Sequence, residues 1–415
     1  MAVVRPHHPT TMLSFIEARL RVIEVVGARP KLPQGERIEV GQGLGRVLAE
    51  QVVADRDYPP FDRATRDGFA VRAGDLSAPP DTLEIIGEIK AGDTFAGTVG
   101  AGQCVEIMTG AGVPPGADAV VMIEHTKPSK SRVVVGRAVE PWQNIVRRGS
   151  EARAGQVLLT RGTRLGYAEL ALAAQVGAQP LSAFARPRVA ILSTGDEVVG
   201  IDEKPGPFQI RNGNSVSLAA QVALAGAVPV ALGNAPDRIE DLRARIECGL
   251  DADVLVLSGG VSMGKFDLVE VVLRELGAEF FFEGVAIRPG RPAVFGVCRE
   301  KFVFGLPGNP VSTMVTFELF ALAAIDLLSG AAPRPLPLLR AKLAAPVSQK
   351  AALTHFLPAQ LDWSSGEPIV RELPWQGSGD LVALAQANCF LVVPPTRLAF
   401  AAGEWVEVLP RRDVL

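Results

Sequence analysis

The sequence predicts a multidomain α/β protein whose centre is a doubly wound, mainly parallel sheet. Three stretches carry this prediction, because each is an apolar run that ends in a turn rich in small residues and leads into helical spacing. They are 188–197 (RVAILSTGDE), 252–264 (ADVLVLSGGVSMG) and 302–312 (FVFGLPGNPVS). The carboxyl ends of parallel strands lie along one edge of a sheet, where ligands bind. We therefore expect the three turns to converge on one anionic ligand.

The segments around this centre have different patterns. Residues 11–27 and 165–178 carry apolar side chains at helical spacing, and 44–50 is expected to form a second short helix. Between 81 and 140, short β-type runs alternate with Gly/Pro turns. Beyond the Pro-rich joint 331–337, short strands and no convincing helix indicate a barrel or a sandwich. The four predicted domains are a mixed α/β N-terminal domain with a helical start (1–55 plus 142–185), an inserted β-rich module (56–141), the α/β domain (186–330) and a C-terminal β-barrel (331–415).

Composition limits the classes of function. The chain of 415 residues is 48% hydrophobic and 21% charged, which is typical of a soluble globular protein. Its net charge of −3 gives no reason to expect nucleic acid or an acidic membrane as partner. The apolar run 311–328 contains Glu318 and Asp326, so it is predicted to be a buried helix and not a membrane span. Four cysteines without C-x-x-C spacing, and an N-terminus without a long apolar core, favour the cytoplasm.

The turn after the second stretch has part of a nucleotide-binding motif. Residues 259–265 (GGVSMGK) satisfy G-x-x-x-x-G-K, but Phe266 stands where a P-loop has the Ser or Thr that holds Mg²⁺. The strand also comes late in its domain, after two βα units. A phosphate-binding loop of another kind is the favoured interpretation, and a structural turn or a P-loop nucleotidase are the alternatives.

The turn after the third stretch, GLPGNP (305–310), has helix-start chemistry. Asn309 is expected to be the N-cap of the next helix and Pro310 its first residue. By itself this could be a tight strand-to-helix turn, since Gly, Pro and Asn all suit turns. Beside two other turns of the same plan, a binding loop is favoured.

Four acidic residues lie at or just after predicted strand ends: Asp196, Glu197, Asp237 and Asp267. Mg²⁺ prefers oxygen ligands and commonly bridges one or two carboxylates to substrate phosphates. The alternative is that these acids stabilise helix N-termini and hold no metal. For the four as a set, a metal site is the favoured interpretation.

Arg288 and Arg291 flank a Pro-Gly turn (IRPGRP). Two guanidinium groups at this spacing could bind an oxyanion through paired, charge-assisted hydrogen bonds. A solvated surface turn is the competing interpretation.

Six motifs, in order along the chain, resemble those of the MoeA / gephyrin E-domain family of molybdopterin molybdenumtransferases. They are RDGFAVR (66–72), IMTGAGVPPGADAVV (107–121), NIVRRGSE (144–151), STGDE (193–197), SGGVSMG (258–264) and GLPGNPVS (305–312). The resemblance covers essentially the whole chain. The six motifs together are highly specific, although any one alone is not.

The resemblance implies a four-part subunit with a MogA-like α/β domain, an elongated homodimer and the last step of molybdenum cofactor synthesis. In that step adenylylated molybdopterin is bound, molybdate is inserted at its dithiolene and AMP is released, with Mg²⁺ assisting. The family's active cleft lies between the α/β domain of one subunit and the inserted module of the other. A MogA-like adenylyltransferase and molybdoenzyme chaperones are the further partners implied.

The motifs and the resemblance together give a set of candidate site residues. The predicted catalytic residues are Asp67, Glu197, Asp237 and Asp267, of which Glu197, Asp237 and Asp267 are also the predicted metal ligands. The predicted substrate-binding residues are Thr109, Glu151, Ser258, Gly259, Gly260, Ser262, Gly264, Arg288, Arg291, Pro307, Gly308, Asn309, Pro310 and Ser378.

The chain departs from the family pattern at some of these positions. The family usually has Lys where this chain has Arg288 and Arg291, and Asp where it has Glu151. Arg keeps the charge, but Lys and Arg are not interchangeable at a tight oxyanion site. These changes leave open a diverged paralogue with altered oxyanion preference, for instance for tungstate, or with weak activity. A non-catalytic pterin-binding or scaffold protein on the same fold is a separate alternative.

Overall fold

The computed structural model describes residues 12–29, 33–260, 268–349, 353–364 and 366–414. The chain forms two compact units. The first contains Met1–Arg37, Gly45–Ala49 and Ser182–Leu415, and the second contains Ile38–Leu44 and Glu50–Leu181. The four domain ranges predicted from the sequence are finer than these units and stay a prediction.

The first unit is built on a six-stranded sheet. Its strands, from edge to edge, are Val228–Ala235, Arg188–Thr194, Val254–Ser258, Lys301–Leu306, Val294–Cys298 and Glu279–Glu283. The first four are parallel, and the last two are antiparallel to their neighbours. Val254–Ser258 is buried at every position, as expected of a strand covered on both faces. The parallel centre predicted from the three stretches is confirmed.

Helices cover both faces of this sheet. The α-helices within the described ranges of this unit are α1 (Phe15–Gly27), α3 (Gly213–Ala225), α4 (Ile239–Gly249), α5 (Leu268–Glu275), α6 (Pro310–Thr316), α7 (Leu322–Leu328) and α8 (Leu381–Gln386), whereas α2 (Tyr167–Gln175) belongs to the second unit. Val254 and Val256 share a core with α1, α3, α6 and α7. Leu255 and Leu257 share another with α4 and α5. Alternate residues of one strand thus face opposite helical layers, which is a doubly wound arrangement.

α6 and α7 belong to one continuous helix, Pro310–Leu328, joined by the π-helical turn Phe317–Ala321. This helix is long and apolar enough to cross a membrane, but 78% of its most apolar window is buried inside the protein. Asp326 is fully buried and paired with Arg334 at 2.6 Å. The prediction of a buried helix is confirmed.

A second sheet of the first unit forms the C-terminal barrel. Its strands are Ile287–Arg288, Thr354–Asp362, Ile369–Glu372, Leu339–Leu343, Trp405–Pro410 and Cys389–Val393. Cys389–Val393 pairs back with Thr354–Asp362, which closes the sheet. Ile287–Arg288 runs parallel to Thr354–His355, so the Arg288 turn is attached to the barrel. Three short two-stranded sheets lie in or extend into this unit: Gly35–Ile38 with Leu181–Phe184, Val198–Val199 with Ile210–Arg211, and Val347–Ser348 with Ala399–Phe400.

The second unit contains a six-stranded sheet, which confirms the predicted β-rich character of this region. Its strands are Ala119–Met122, Gly68–Val71, Gln103–Ile107, Asp81–Ile89, Arg132–Val135 and Thr126–Ser129. Two short pairs accompany it: Arg63–Ala64 with Ile145–Val146, and Val52–Val53 with Val157–Leu159.

Two secondary-structure predictions are wrong. Residues 44–50 form no helix: Gly45 has φ +75° and Leu48 makes an antiparallel bridge to Ala183. A left-handed glycine breaks a helix that the apolar spacing alone would allow. The C-terminal region does contain a helix, α8, whose N-cap Asp380 accepts a hydrogen bond from the Ala383 N–H at 3.0 Å.

Candidate active site

The three predicted turns meet at one cavity on the carboxyl edge of the central sheet. This first cavity has a volume of about 620 Å³, and residues from 193–197, 258–260 and 307–310 all line it. Ser193 is the register partner of Ser258, which in turn pairs with Leu306. The three strands therefore end at the same level, so that their turns lie side by side. The described parts of the three turns thus converge as predicted, and the anionic ligand stays a prediction.

Backbone forms much of this cavity wall. Gly259 has φ +94°, and a Cβ atom there would lie 2.8 Å from the Thr194 carbonyl oxygen. A Cβ atom on Gly308 would lie 3.4 Å from the Gly259 Cα atom. Only glycine at 259 permits this approach of neighbouring turns, and it leaves the cavity open to a ligand.

Carboxylates cluster on one side of the first cavity. Glu197 and Asp237 line it, and the Asp196 carboxylate accepts a hydrogen bond from the Asp237 N–H at 3.1 Å. Partial burial raises the pKa of Asp237, and the negative charges of Asp196 and Glu197 raise it further. Among the described lining residues, Arg211 is the only basic one. This side of the cavity needs a cation before it can accept a phosphate.

The carboxylates fit a magnesium ion that is bridged to substrate. Within the described ranges, no three His, Cys, Asp or Glu side chains are grouped as metal ligands. Mg²⁺ usually keeps several waters and binds one or two carboxylates together with phosphates. Glu197 and Asp237 could supply those carboxylates. Asp267, the third predicted ligand, lies outside the described residues, as do Ser262 and Gly264.

The start of α3 supplies lining residues that the sequence analysis missed. Asn212 caps the helix by accepting the Ser215 N–H at 3.0 Å, and it also accepts the Ser193 hydroxyl at 2.9 Å. The Asn214 side chain donates to Ser258 Oγ at 2.8 Å and to the Gly308 carbonyl at 2.6 Å. The only sequence signal for this role is the pair of asparagines in NGNS (212–215), which is equally typical of a helix start.

A second cavity of about 580 Å³ lies beside the first and shares Pro292, Pro307, Asn309 and Gly379 with it. Arg288, Arg291 and Ser378 line this second cavity, so three predicted binding residues are brought together. No acidic residue is among its described lining residues, which also include Trp375 and Gln376. It therefore has the charge expected of an oxyanion site.

Asn309 connects the turn 305–310 to the C-terminal region. It occupies the N-cap position of α6 with Pro310 next, as predicted, but its side chain makes no capping hydrogen bond. Its Nδ2 instead donates to Ser378 Oγ at 2.8 Å, and the Ser378 carbonyl accepts the Val311 N–H at 3.0 Å. The side chain is therefore used to order the second cavity.

The remaining candidates lie in the second unit. Asp67 accepts the Thr109 N–H at 2.6 Å, and hydrogen bonds from the Thr109 backbone and side chain lower the pKa of Asp67. Glu151 pairs with Arg63 at 3.0 Å. The segment after Thr109 also contacts the strand Arg63–Ala64, because the Gly110 N–H donates to the Ala64 carbonyl at 2.9 Å. All three candidates are thus placed around the strand Arg63–Ala64.

Three family models match the chain in sequence order. The MoeA N-terminal region (domains I and II) matches residues 13–177. A probable molybdopterin binding domain matches 190–327, and the MoeA C-terminal region (domain IV) matches 340–410.

Curated relatives are similar over nearly their whole length. A molybdopterin molybdenumtransferase of Bacillus subtilis is 35% identical over 393 residues, which cover 92% of this chain and 91% of the relative. One from Nostoc is 33% identical over 419 residues, which cover 98% of this chain and 95% of the relative.

Two solved structures of a MoeA molybdopterin biosynthesis protein from Pyrococcus horikoshii share the fold. One is 32% identical with a TM-score of 0.74 and covers 96% of this chain and 99% of its own. The other is 28% identical with a TM-score of 0.82 and covers 97% and 100%.

Proposed function

Because the chain belongs to the molybdopterin molybdenumtransferases, an enzyme family of molybdenum cofactor biosynthesis, we propose that it inserts molybdate into adenylylated molybdopterin and releases AMP. The observation that carries the proposal is the pair of adjacent cavities that share the Pro307–Asn309 turn and differ in charge. Such a reaction needs a nucleotide and an oxyanion held next to each other.

The first cavity would bind the phosphoanhydride of the substrate. Turns 193–197 and 258–260 offer close backbone approach, and Arg211 and the start of α3 favour negative charge. Glu197 and Asp237 would hold Mg²⁺, with Asp267 as the further expected ligand. When bound, Mg²⁺ would supply neutralising charge at the phosphate oxygens. Water would form the new bond to the AMP phosphorus as the P–O bond to the pterin phosphate breaks, so that AMP leaves and the pterin keeps its phosphate.

The second cavity would bind molybdate. Arg288 and Arg291 can donate charge-assisted hydrogen bonds to its oxygens, and the Ser378 hydroxyl can add another. Since Pro307 and Asn309 line both cavities, an oxyanion held here lies next to the bound pterin nucleotide. Positioning of the two reactants then supplies most of the catalysis.

The direct test is to incubate the pure protein with adenylylated molybdopterin, Mg²⁺ and molybdate, and to measure AMP. AMP should appear only when all three are present, and the pterin should acquire molybdenum in the same proportion. Absence of AMP from the wild-type protein would contradict the proposal. Full AMP release by an Asp267→Ala variant would contradict the assigned metal site.

We also propose that the enzyme is a homodimer in which Asp67, Thr109 and Glu151 of one copy act with the cavities of the other, as the family resemblance implies. Asp67→Ala and Asp237→Ala alone would each retain about a hundredth of wild-type activity. After the two are mixed and allowed to exchange subunits, half of the dimers would be mixed and would have one intact site, which gives about a quarter of wild-type activity. No recovery, with subunit exchange shown by mass spectrometry, would contradict the shared site.

A further inference from the structure

The side chain of Asn214 makes two hydrogen bonds across the first cavity. Its amide nitrogen lies 2.8 Å from Ser258 Oγ and 2.6 Å from the Gly308 carbonyl oxygen. A carbonyl oxygen can only accept, so the amide must present its NH₂ group to Gly308. One side chain near the start of α3 therefore holds both the end of the central strand Val254–Ser258 and the turn that precedes α6.

That turn is the wall between the two cavities. Pro307 and Asn309 line both, and Gly308 lines the first. On the side of the second cavity, Asn309 is held by Ser378 Oγ at 2.8 Å. From α6, the single proton of the Thr313 hydroxyl is shared between the Pro307 carbonyl at 2.5 Å and the Asn309 carbonyl at 3.0 Å. The hydrogen bond from Asn214 to the Gly308 carbonyl thus links this turn to α3.

We propose that Asn214 is a positioning residue for both cavities at once. It lines the first cavity and is not among the described residues that line the second. By fixing Gly308 it sets the place of Pro307 and Asn309, and through Asn309 the place of Ser378. Oxyanion binding in the second cavity therefore depends on a side chain that the oxyanion does not contact. The inference rests on the proposed function only in taking the second cavity as the molybdate site.

The chemistry requires an amide at this position. A carboxylate in Asn214→Asp would only accept hydrogen bonds, so it would repel the Gly308 carbonyl and lose the bond to it. It would also add negative charge to a cavity that already contains Glu197 and Asp237. Asn214→Ala removes both bonds without adding charge. Both variants should release the turn, and the Asp variant should weaken nucleotide binding more.

Gln221 offers a matched control on the same helix. Its side-chain amide donates to the Met314 carbonyl at 3.2 Å and to the Glu318 carboxylate at 2.8 Å, so it also joins α3 to the long helix by two bonds. It lines neither cavity. Gln221→Ala should lower the melting temperature without changing ligand affinity.

The experiment measures two ligands separately by titration calorimetry: molybdate without nucleotide, and AMP with Mg²⁺. In Asn214→Ala the dissociation constants of both should rise, each by about tenfold for two lost hydrogen bonds. Hydrogen exchange of the peptide 305–312 gives a readout that needs no ligand, and it should be faster than in wild type and in Gln221→Ala.

Each outcome bears on one proposal. Weakened AMP binding with molybdate binding within about twofold of wild type would mean direct contact only and would overturn the positioning role. If wild type binds no molybdate, or Arg291→Ala binds it as well as wild type, the assigned oxyanion site fails. The positioning role is then decided by hydrogen exchange at 305–312, where equal rates in Asn214→Ala and Gln221→Ala overturn it.

Discussion

The two cavities share the Pro307–Asn309 turn as a wall, but otherwise different segments and residue types line them. The first is formed largely by turns at the ends of parallel strands, with Glu197 and Asp237 as its acidic side. The second is formed by the Arg288–Arg291 turn and the segment 375–379, and no acid is among its described lining residues. Opposite charge in neighbouring cavities lets a cation-bridged phosphate and a free oxyanion lie close together without competing for one position. Acidic and basic side chains are thus segregated between the two cavities.

The largest expected effect tests whether that sorting is functional. Asp237→Ala removes a carboxylate from the first cavity only and should lower the rate of AMP release about a hundredfold, as the loss of one preorganised electrostatic group commonly does. Molybdate binding without nucleotide should be unchanged. The matched control is Asp241→Ala, a half-buried acid in the first turn of α4 that pairs with Arg238 and lines neither cavity. If Asp237→Ala loses molybdate affinity by the same factor as it loses activity, the two cavities act as one.

The second effect comes from the basic cavity. Replacing Arg288 and Arg291 by Ala removes two charge-assisted donors and should raise the dissociation constant of molybdate at least about tenfold. AMP affinity measured with Mg²⁺ should stay at the wild-type value. Arg299→Ala removes a comparable exposed guanidinium, paired with Glu247 away from both cavities, and should change neither ligand. A loss of AMP affinity in the double variant would contradict the assignment of oxyanion and nucleotide to separate cavities.

A smaller effect is expected from the C-terminal side of the wall. Ser378→Ala removes the partner of Asn309 and one oxyanion donor, and a neutral hydrogen bond contributes modestly. The dissociation constant of molybdate should rise about threefold. AMP binding should not change, and a change there would mean that Ser378 supports the first cavity too.

The smallest effect concerns stability and pH. The pKa of Asp237 in the folded chain is above its ordinary value of 3.8, because of partial burial and then the charges of Asp196 and Glu197. Below pH 3.8 the group is protonated in both folded and unfolded chains and costs nothing. The destabilisation builds up as pH rises from 3.8 through the raised folded pKa and is constant above it. Asp237→Asn should therefore melt about 1 °C higher than wild type near neutral pH, and the difference should vanish in acid. A calorimetric scan at several pH values measures this, and a pH-independent difference would exclude the charge cluster as its cause.

Some of the site could be predicted from sequence because local pattern and one topological rule were enough. Strand Val254–Ser258 is an apolar run that ends in two glycines, and parallel strands must end at one edge. Arg288 and Arg291 could be found because only two residues separate them along the chain, so a turn brings them together. Asn214 could not be found in this way, since its partners lie 44 and 94 residues away.

The wrong predictions have the same origin. The apolar spacing of 44–50 suits a helix, but Gly45 has a left-handed conformation and Leu48 pairs with Ala183, which is distant in sequence. Short runs are decided by such partners more than by their own propensity. The six residues of α8 were missed because a helix of that length leaves almost no periodic pattern, and only the capping Asp380 marks its start.

By itself the sequence determined the α/β centre, the turns at its edge and the residue types that are proposed to bind phosphate, metal and oxyanion. These are local matters of side-chain period, glycine and charge. The tertiary structure decided that the turns enclose two cavities and not one, that they are separated by Pro307–Asn309, and that Asn214 holds this wall. The physical reason is that a hydrogen bond between distant segments forms only once the sheet and α3 have packed. It therefore cannot be predicted from any single stretch of the sequence.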